Sequence, residues 1–186
     1  MTRTLYLFCS AAPPVFDVAS VIEDAQRRGW DMCLGLTPTA ARWLEHGLDG
    51  LAALTGHPVR FEYDLPGQPD PWPAADVVLF APATFTAMNE WALGLTAKFV
   101  VSVATQGVGK GVPAVVMPCV NEAHGQHPAF GTSVATLRAT GAQVLLGEGT
   151  HLADPPGGEL PGGFPWGVAL NAVDAVERAG QAPAGS

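Results

Sequence analysis

Short continuous apolar runs alternate along the chain with stretches whose apolar residues fall at helical spacing. The runs at 4–9 (TLYLFC), 30–36 (WDMCLGL), 77–81 (VVLFA), 114–117 (AVVM) and 143–146 (QVLL) read as strands buried on both faces. Residues 57–63, HPVRFEY, alternate enough to predict one more strand between the second and third of these. Five stretches read as helices. Residues 15–28 carry Val15, Val18, Ala19, Ile22 and Ala25 on one face, and 40–48 carry Trp43 and Leu44. From Ala87 onward Met88, Trp91, Ala92 and Leu95 line up; Phe130, Val134 and Leu137 do so over 129–140, and 166–178 forms the last helix. Gly141, just past its helix, suits a left-handed cap. Residues 100–104 read either as a helix end or as an extended turn. Strands alternating with helices at this rhythm predict an α/β fold: a three-layer parallel sheet with helices on both faces, in Rossmann-like or flavodoxin-like order.

Proline and glycine punctuate this pattern. Thr37-Pro38 is a helix-start signature, a hydroxyl cap followed by Pro. Four prolines make 64–75 a loop, Pro82 is expected to stop the 77–81 strand, and 118–128 reads as a polar loop. The Gly/Pro-rich stretch 147–165 reads as a long loop, of a length that usually marks a lid over a site. One domain over 1–178 is expected, followed by a frayed tail, 179–186, of small and polar residues.

Composition narrows the partners. The formal charge is −8, with no basic stripe, which argues against nucleic acid or an anionic membrane surface. Cys9, Cys33 and Cys119 are widely spaced and odd in number, so neither a metal site nor a disulfide framework is expected, and a reducing cytoplasm fits. The apolar core of the N-terminal stretch is too short for a signal peptide and reads as a strand. No apolar run is long enough to span a membrane.

Candidate chemistry collects in the turns that follow strands, where parallel α/β sheets bind ligands. Cys9-Ser10-Ala11, after the first strand, reads by itself as a simple helix cap. Residues 82–86, Pro-Ala-Thr-Phe-Thr, form a small, hydroxyl-rich turn between strand and helix, either an ordinary connection or a seat for an anion or flat cofactor. On spacing alone Trp43 reads as a core aromatic and Asn121 as a loop-capping residue.

The segment APATFTAMNEWALGLTAKFV resembles the PASANT-motif region of the flavin-dependent cysteine decarboxylase family, with Pro82, Ala83 and Thr84 matching and Phe85 and Thr86 replacing the motif's Ala and Asn. Glu90-Trp91-Ala92 and Gly94 keep the pattern of the helix that follows. Met117-Pro118-Cys119-Val120-Asn121 is similar to the start of the family's second motif, PxMNxxMW; His124 and Gly125 stand where that motif has Met-Trp, and His127-Pro128 restores its usual HP. Cys9-Ser10-Ala11 resembles the GSIAA turn, and Thr37-Pro38-Thr39-Ala40 with Trp43 resembles the TxxAxxF element. The likeness covers residue 4 to about 146.

The resemblance implies FMN as cofactor, bound by Cys9, Ser10, Ala11, Thr37, Thr39, Trp43, Pro82, Ala83, Thr84, Thr86 and Ser102, with Thr39 near the phosphate and Trp43 beside the ring. The absence of a GxGxxG fingerprint agrees with a mononucleotide. It implies that Asn121 contacts the substrate carboxylate and that the family's catalytic His is replaced by Gln68, which cannot exchange a proton; His57, His124 and His127 are the histidines that could compensate. The implied reaction is oxidation of a cysteine to a thioaldehyde, loss of CO₂ and release of an enethiol. No Cys lies in the 147–165 loop to reduce the product, which favours the C-terminal cysteine of a ribosomally made precursor peptide as substrate. A phosphopantothenoylcysteine decarboxylase-like enzyme is the alternative, and a flavin-binding subunit or flavin prenyltransferase-like protein without this activity is a third reading. The family likeness further implies a homotrimer, or a dodecamer of trimers, with FMN between subunits and Trp91 with its helix at a subunit contact.

Overall fold

In a computed structural model, residues 2–146, 152–153 and 163–181 are described. Five parallel strands form one sheet in the order β2-β1-β3-β4-β6: β1 Arg3–Cys9, β2 Trp30–Leu36, β3 Val77–Ala83, β4 Ala114–Pro118 and β6 Gln143–Val144. This is the flavodoxin-like order, and it reverses direction between β1 and β3. A second, two-stranded ladder pairs β5 Val120–Asn121 with β7 Leu152–Ala153. The side-chain period of two in each strand divides the core. Leu5, Leu7, Met32, Leu34, Leu79 and Met117 face α1 (Val18–Arg27), α3 (Leu48–Thr55) and α8 (Trp166–Gln181). Tyr6, Phe8, Cys33, Phe80 and Val116 face α4 (Phe85–Leu93), α5 (Phe99–Gly109) and α7 (Pro128–Ala139). Two short helices, α2 (Pro38–Trp43) and α6 (Glu122–Gln126), follow β2 and β5. Gly35 in β2 sits where a Cβ would come within 2.6 Å of Phe8 and 2.9 Å of Val100, so α5 lies close against the sheet there.

Several expectations change. Residues 57–63 do not form a strand: Pro58 has no N–H for a ladder, and only Arg60 bridges to Gly35. The Arg60 backbone bonds to Leu34 and Leu36 at the β2 edge, and its guanidinium pairs with Asp64 and Asp70 over the rings of Phe99 and Trp72. Pro82 does not end β3. The strand runs on to Ala83 across a register shift between Phe80 and Ala83, where Pro82 has no ladder partner on β4 that would call for its N–H, and the Pro82 carbonyl accepts from Ser10. The helix expected from Ala87 begins at Phe85, because the Thr84 hydroxyl caps it by accepting from the Ala87 N–H at 3.3 Å. It ends at a left-handed Gly94 (φ 68°), so Leu95 projects into solvent and not along an apolar face. Residues 100–104 are the middle of α5, and 118–128 holds both β5 and α6. Gly141, at φ 93°, is the left-handed residue expected. Among the described residues no helix is long and apolar enough to cross a membrane. The last helix runs on to Gln181, so residues 179–181 of the expected frayed tail are helical, while 182–186 and almost all of the lid expected over 147–165 lie outside the described residues.

Candidate functional site at the carboxyl ends of the strands

The turns after β1, β2, β3 and β4 meet beyond the carboxyl edge of the sheet, and Ser10 ties two of them together. Its N–H donates to the Pro82 carbonyl at 3.0 Å and its hydroxyl donates to the same oxygen at 2.7 Å. The hydroxyl oxygen also accepts from the Thr84 N–H at 2.7 Å. Thr37 N–H donates to the Cys9 carbonyl at 2.9 Å, and Cys119 N–H donates to Ala83 at 2.8 Å, so the four turns form one hydrogen-bonded rim. The rim is cut at the topological switch point between β1 and β3, the place where such sheets bind ligands.

The residues expected to hold a cofactor divide by what they can still offer. Cys9, Ala83 and Ser10 are buried, and both Ser10 donors are spent on Pro82, so Ser10 shapes the rim. Free donors come instead from the first turn of α4, whose early N–H groups have no intrahelical partner, flanked by the hydroxyls of Thr84 and exposed Thr86. Across the rim Thr39 is half-buried and accepts from Arg42 Nη2 at 3.1 Å. Trp43 is 45% exposed and stacks on Phe16, itself 52% exposed, with ring centroids 5.8 Å apart and planes 6° apart. A flat exposed ring beside hydroxyls and free N–H groups is a donor set that fits a phosphorylated planar cofactor. Ser102 is buried in α5, where its hydroxyl accepts from Gln106 Nε2 at 3.3 Å.

Asn121 caps α6, its Oδ1 accepting from the His124 N–H at 2.9 Å, which leaves its NH₂ group as the donating end. Gln68 is exposed on a turn closed by its own N–H donating to the Leu65 carbonyl at 3.3 Å. His57 lies at the opposite end of the sheet, paired at 2.9 Å with Asp31 near the start of β2. His124 and His127 do reach the site. Both rings pack on Phe85, His124 stacked at 4.6 Å and 8°, and His127 edge-on at 5.5 Å and 77°. His127 Nδ1 accepts from the Ala129 N–H at 3.1 Å. Reading 83–86 as a turn hid this cluster. Reading Thr84 as a cap would have placed Phe85 at the helix start.

Burial pushes the Cys119 thiol up to about 11, that of Cys33 up to about 12 and that of Cys9 higher still, so none is a ready thiolate at neutral pH. Trp91, expected at a subunit contact, is 4% exposed and packs on Phe80 at 5.9 Å: its ring belongs to the chain's own core. A cavity of about 340 Å³ between Tyr6, Trp72, Val78, Gln106 and Lys110 lies on the flank of α5 and contains none of the expected site residues. Among the described residues no cluster of His, Cys, Asp and Glu is arranged to hold a metal.

The fold recurs in proteins of known activity. The FMN-dependent cysteine decarboxylase TvaF of thioviridamide biosynthesis superposes with a TM-score of 0.70 at 19% identity, over 94% of this chain and 99% of that one. The cypemycin decarboxylase CypD gives 0.71 at 19% identity, over 96% of each chain. A PPC decarboxylase complexed with pantothenoylaminoethenethiol gives 0.71 at 14% identity, over 96% of this chain and 100% of that one. FMN, the cofactor expected from sequence, is the one named for TvaF. No curated protein sequence matches. The family whose profile does match, described as Flavoprotein, spans residues 4–161. The chain belongs to the flavoprotein family.

Proposed function

We propose that this protein carries out FMN-dependent oxidative decarboxylation of the C-terminal cysteine of a ribosomally made precursor peptide, giving an aminoenethiol. The observation that carries the reading is the single rim at the β1/β3 switch point, with a phosphate-type donor set on one side and the Asn121 amide on the other. The likeness to TvaF and CypD supports it. FMN, when bound, supplies a two-electron acceptor for the cysteine Cβ, and the thioaldehyde so formed is an electron sink β to the carboxylate. The first turn of α4, Thr84, Thr86 and Thr39 hold the phosphate, and Trp43 with Phe16 flanks the ring. Ser10 fixes the spacing of the β1 and β3 turns. Asn121 orients the substrate carboxylate through a neutral amide, which avoids the ion pair that would hold the carboxylate back from leaving as CO₂. Gln68 takes no part in proton transfer.

The test is incubation of the purified, FMN-loaded protein with a pool of short peptides ending in Cys, followed by mass spectrometry. A loss of about 46 Da, CO₂ plus two hydrogens, marks the reaction on the peptides accepted. No loss from peptides together with loss from phosphopantothenoylcysteine moves the substrate to that class. No loss from either leaves a flavin binder and defeats the reading. A homotrimer, or a dodecamer of trimers, is part of the proposal, supported by the exposed Phe16–Trp43 pair. A monomer in light scattering on the flavin-loaded protein counts against it.

A further inference from the structure

Phe85 and His124 come from two different strand-end segments, and each stands where its segment departs from the family pattern. The structure places them face to face, with centroids 4.6 Å apart and ring planes 8° apart. Phe85 is the first residue of α4, directly after the Thr84 cap, and α4 is nine residues long and anchored in the core by Met88 and Trp91. His124 lies in α6, a five-residue helix with no buried residue of its own. Among the described residues α6 runs beside β7, and its side-chain ties to the rest of the fold are this stack and those at its ends. Its N-terminal end is the Asn121 side chain, which accepts from the backbone N–H of the same His124. At its other end His127 packs edge-on against the same Phe85 ring, and the imidazole Nδ1 accepts from Ala129 to start α7. A further tie, Ser133 Oγ to Asn89 Oδ1 at 2.6 Å, holds α7 to α4.

We propose that Phe85 and His124 are a positioning pair that fixes Asn121, and through it a peptide's terminal carboxylate, against the β3 turn. The inference rests on the decarboxylase reading for the identity of the carboxylate, but the clamp on α6 stands on geometry alone. His124 works through its ring face and its backbone N–H. Neither needs the imidazole to carry a proton, so another aromatic ring serves as well.

The experiment compares Phe85→Ala, His124→Ala, the double variant and His124→Phe, each FMN-loaded. Hydrogen–deuterium exchange over 121–127 is read first. Phe85→Ala should speed exchange there by about fivefold to tenfold, the range expected for a lost aromatic stack, and His124→Phe should keep wild-type rates. Turnover of a peptide accepted by the wild type is read second. Each alanine variant should raise KM by about fivefold to tenfold with kcat little changed, and the double variant should do no worse than either single one. His124→Phe should retain the wild-type KM, and in an Asn121→Ala background Phe85→Ala should add nothing to KM. Unchanged exchange in Phe85→Ala overturns the proposal. So do additive KM effects in the double variant, or a His124→Phe that behaves like His124→Ala, which would give the imidazole a chemical role. If the wild type turns over no Cys-terminated peptide, the peptide reading fails and the clamp is judged by exchange alone.

Discussion

Removing the Ser10 hydroxyl tests whether the rim is held as described. Ser10→Ala deletes two hydrogen bonds of 2.7 Å, one donated to the Pro82 carbonyl and one accepted from the Thr84 N–H. Pro82 keeps a partner, since the Ser10 N–H still reaches it at 3.0 Å. Thr84 N–H does not, and leaving a donor unsatisfied in a mostly buried place costs about 1–3 kcal/mol. Thr84 is only half-buried, so water can relieve part of this, and we expect a loss of about 1.5 kcal/mol. For a chain of this length that is a fall in Tm of roughly 3–6 °C. Urea unfolding with FMN withheld measures it, and a fluorescence titration with FMN reports whether the α4 turn has moved. Thr84→Ala removes the cap on Ala87 but leaves the main-chain N–H that Ser10 holds. The two losses should therefore add, within about 0.5 kcal/mol. A Ser10→Ala protein with wild-type stability and wild-type FMN affinity would show that the rim does not depend on this bridge, and a strong coupling to Thr84→Ala would show that the bond is not to the main chain.

Three further outcomes follow from the same geometry. Gly35→Ala puts a Cβ 2.6 Å from the Phe8 ring and 2.9 Å from Val100 and should cost about 1–3 kcal/mol in urea unfolding; a neutral change would mean that α5 can move outward freely. The native protein at pH 8 should leave all three thiols unreactive toward a disulfide reagent until denaturant is added, and stability should fall as pH rises from about 9 toward 11, because the unfolded chain releases thiol protons that the folded one keeps; a fast-reacting thiol or a flat profile above pH 9 refutes this. Asn121→Asp should suppress peptide decarboxylation while FMN binding holds, since two carboxylates in contact in a poorly solvated cleft repel by several kcal/mol, on the order of 4 at an effective dielectric constant of 20; wild-type turnover would show that Asn121 does not face the substrate.

The sheet was legible because its strands are buried on both faces: 30–36 is β2 to the residue, and β1 and β4 differ by a residue at one end. Errors cluster where tertiary contacts overrule local signals. HPVRFEY alternates like a strand, but the Arg60 cation is drawn to two aspartates and two rings. Val, Gly and Thr in 99–109 are poor helix formers, yet Phe99, Val100, Val101 and Ala104 bury one face of α5 against the sheet and make it a helix. Pro82 is an ordinary strand breaker in sequence and a carbonyl acceptor for Ser10 in the fold. At the site, the turns were legible as small-residue segments after strands, but their division of labour was not. Nothing local says that the Ser10 hydroxyl faces Pro82, or that Phe85 and His124, 39 positions apart by subtraction, share a stack.

That division of labour bears on how the proposed reaction would run without a protein base. Ser10, Thr37, Thr39, Thr84, Thr86 and Asn121 put neutral hydroxyls and an amide at the strand-end turns. Its thiols are held protonated by burial, Gln68 is solvent-exposed and His57 sits at the far end of β2. Such a rim can place a phosphate, a flat ring and a carboxylate relative to one another, and at Asn121 it meets the carboxylate with a neutral amide. Orientation is what a cofactor-borne oxidation needs from its protein, because the electron sink for CO₂ loss arises on the substrate itself. The stability of the rim and the rate of the reaction should then move together: variants that loosen the β3 and β4 turns, such as Ser10→Ala and Phe85→Ala, should lose substrate and cofactor affinity in proportion to the order they remove, while leaving no new pH dependence in the rate. A pH profile that changes shape in either variant would reveal a titrating group in the chemistry and would return the search for a base to His124 and His127.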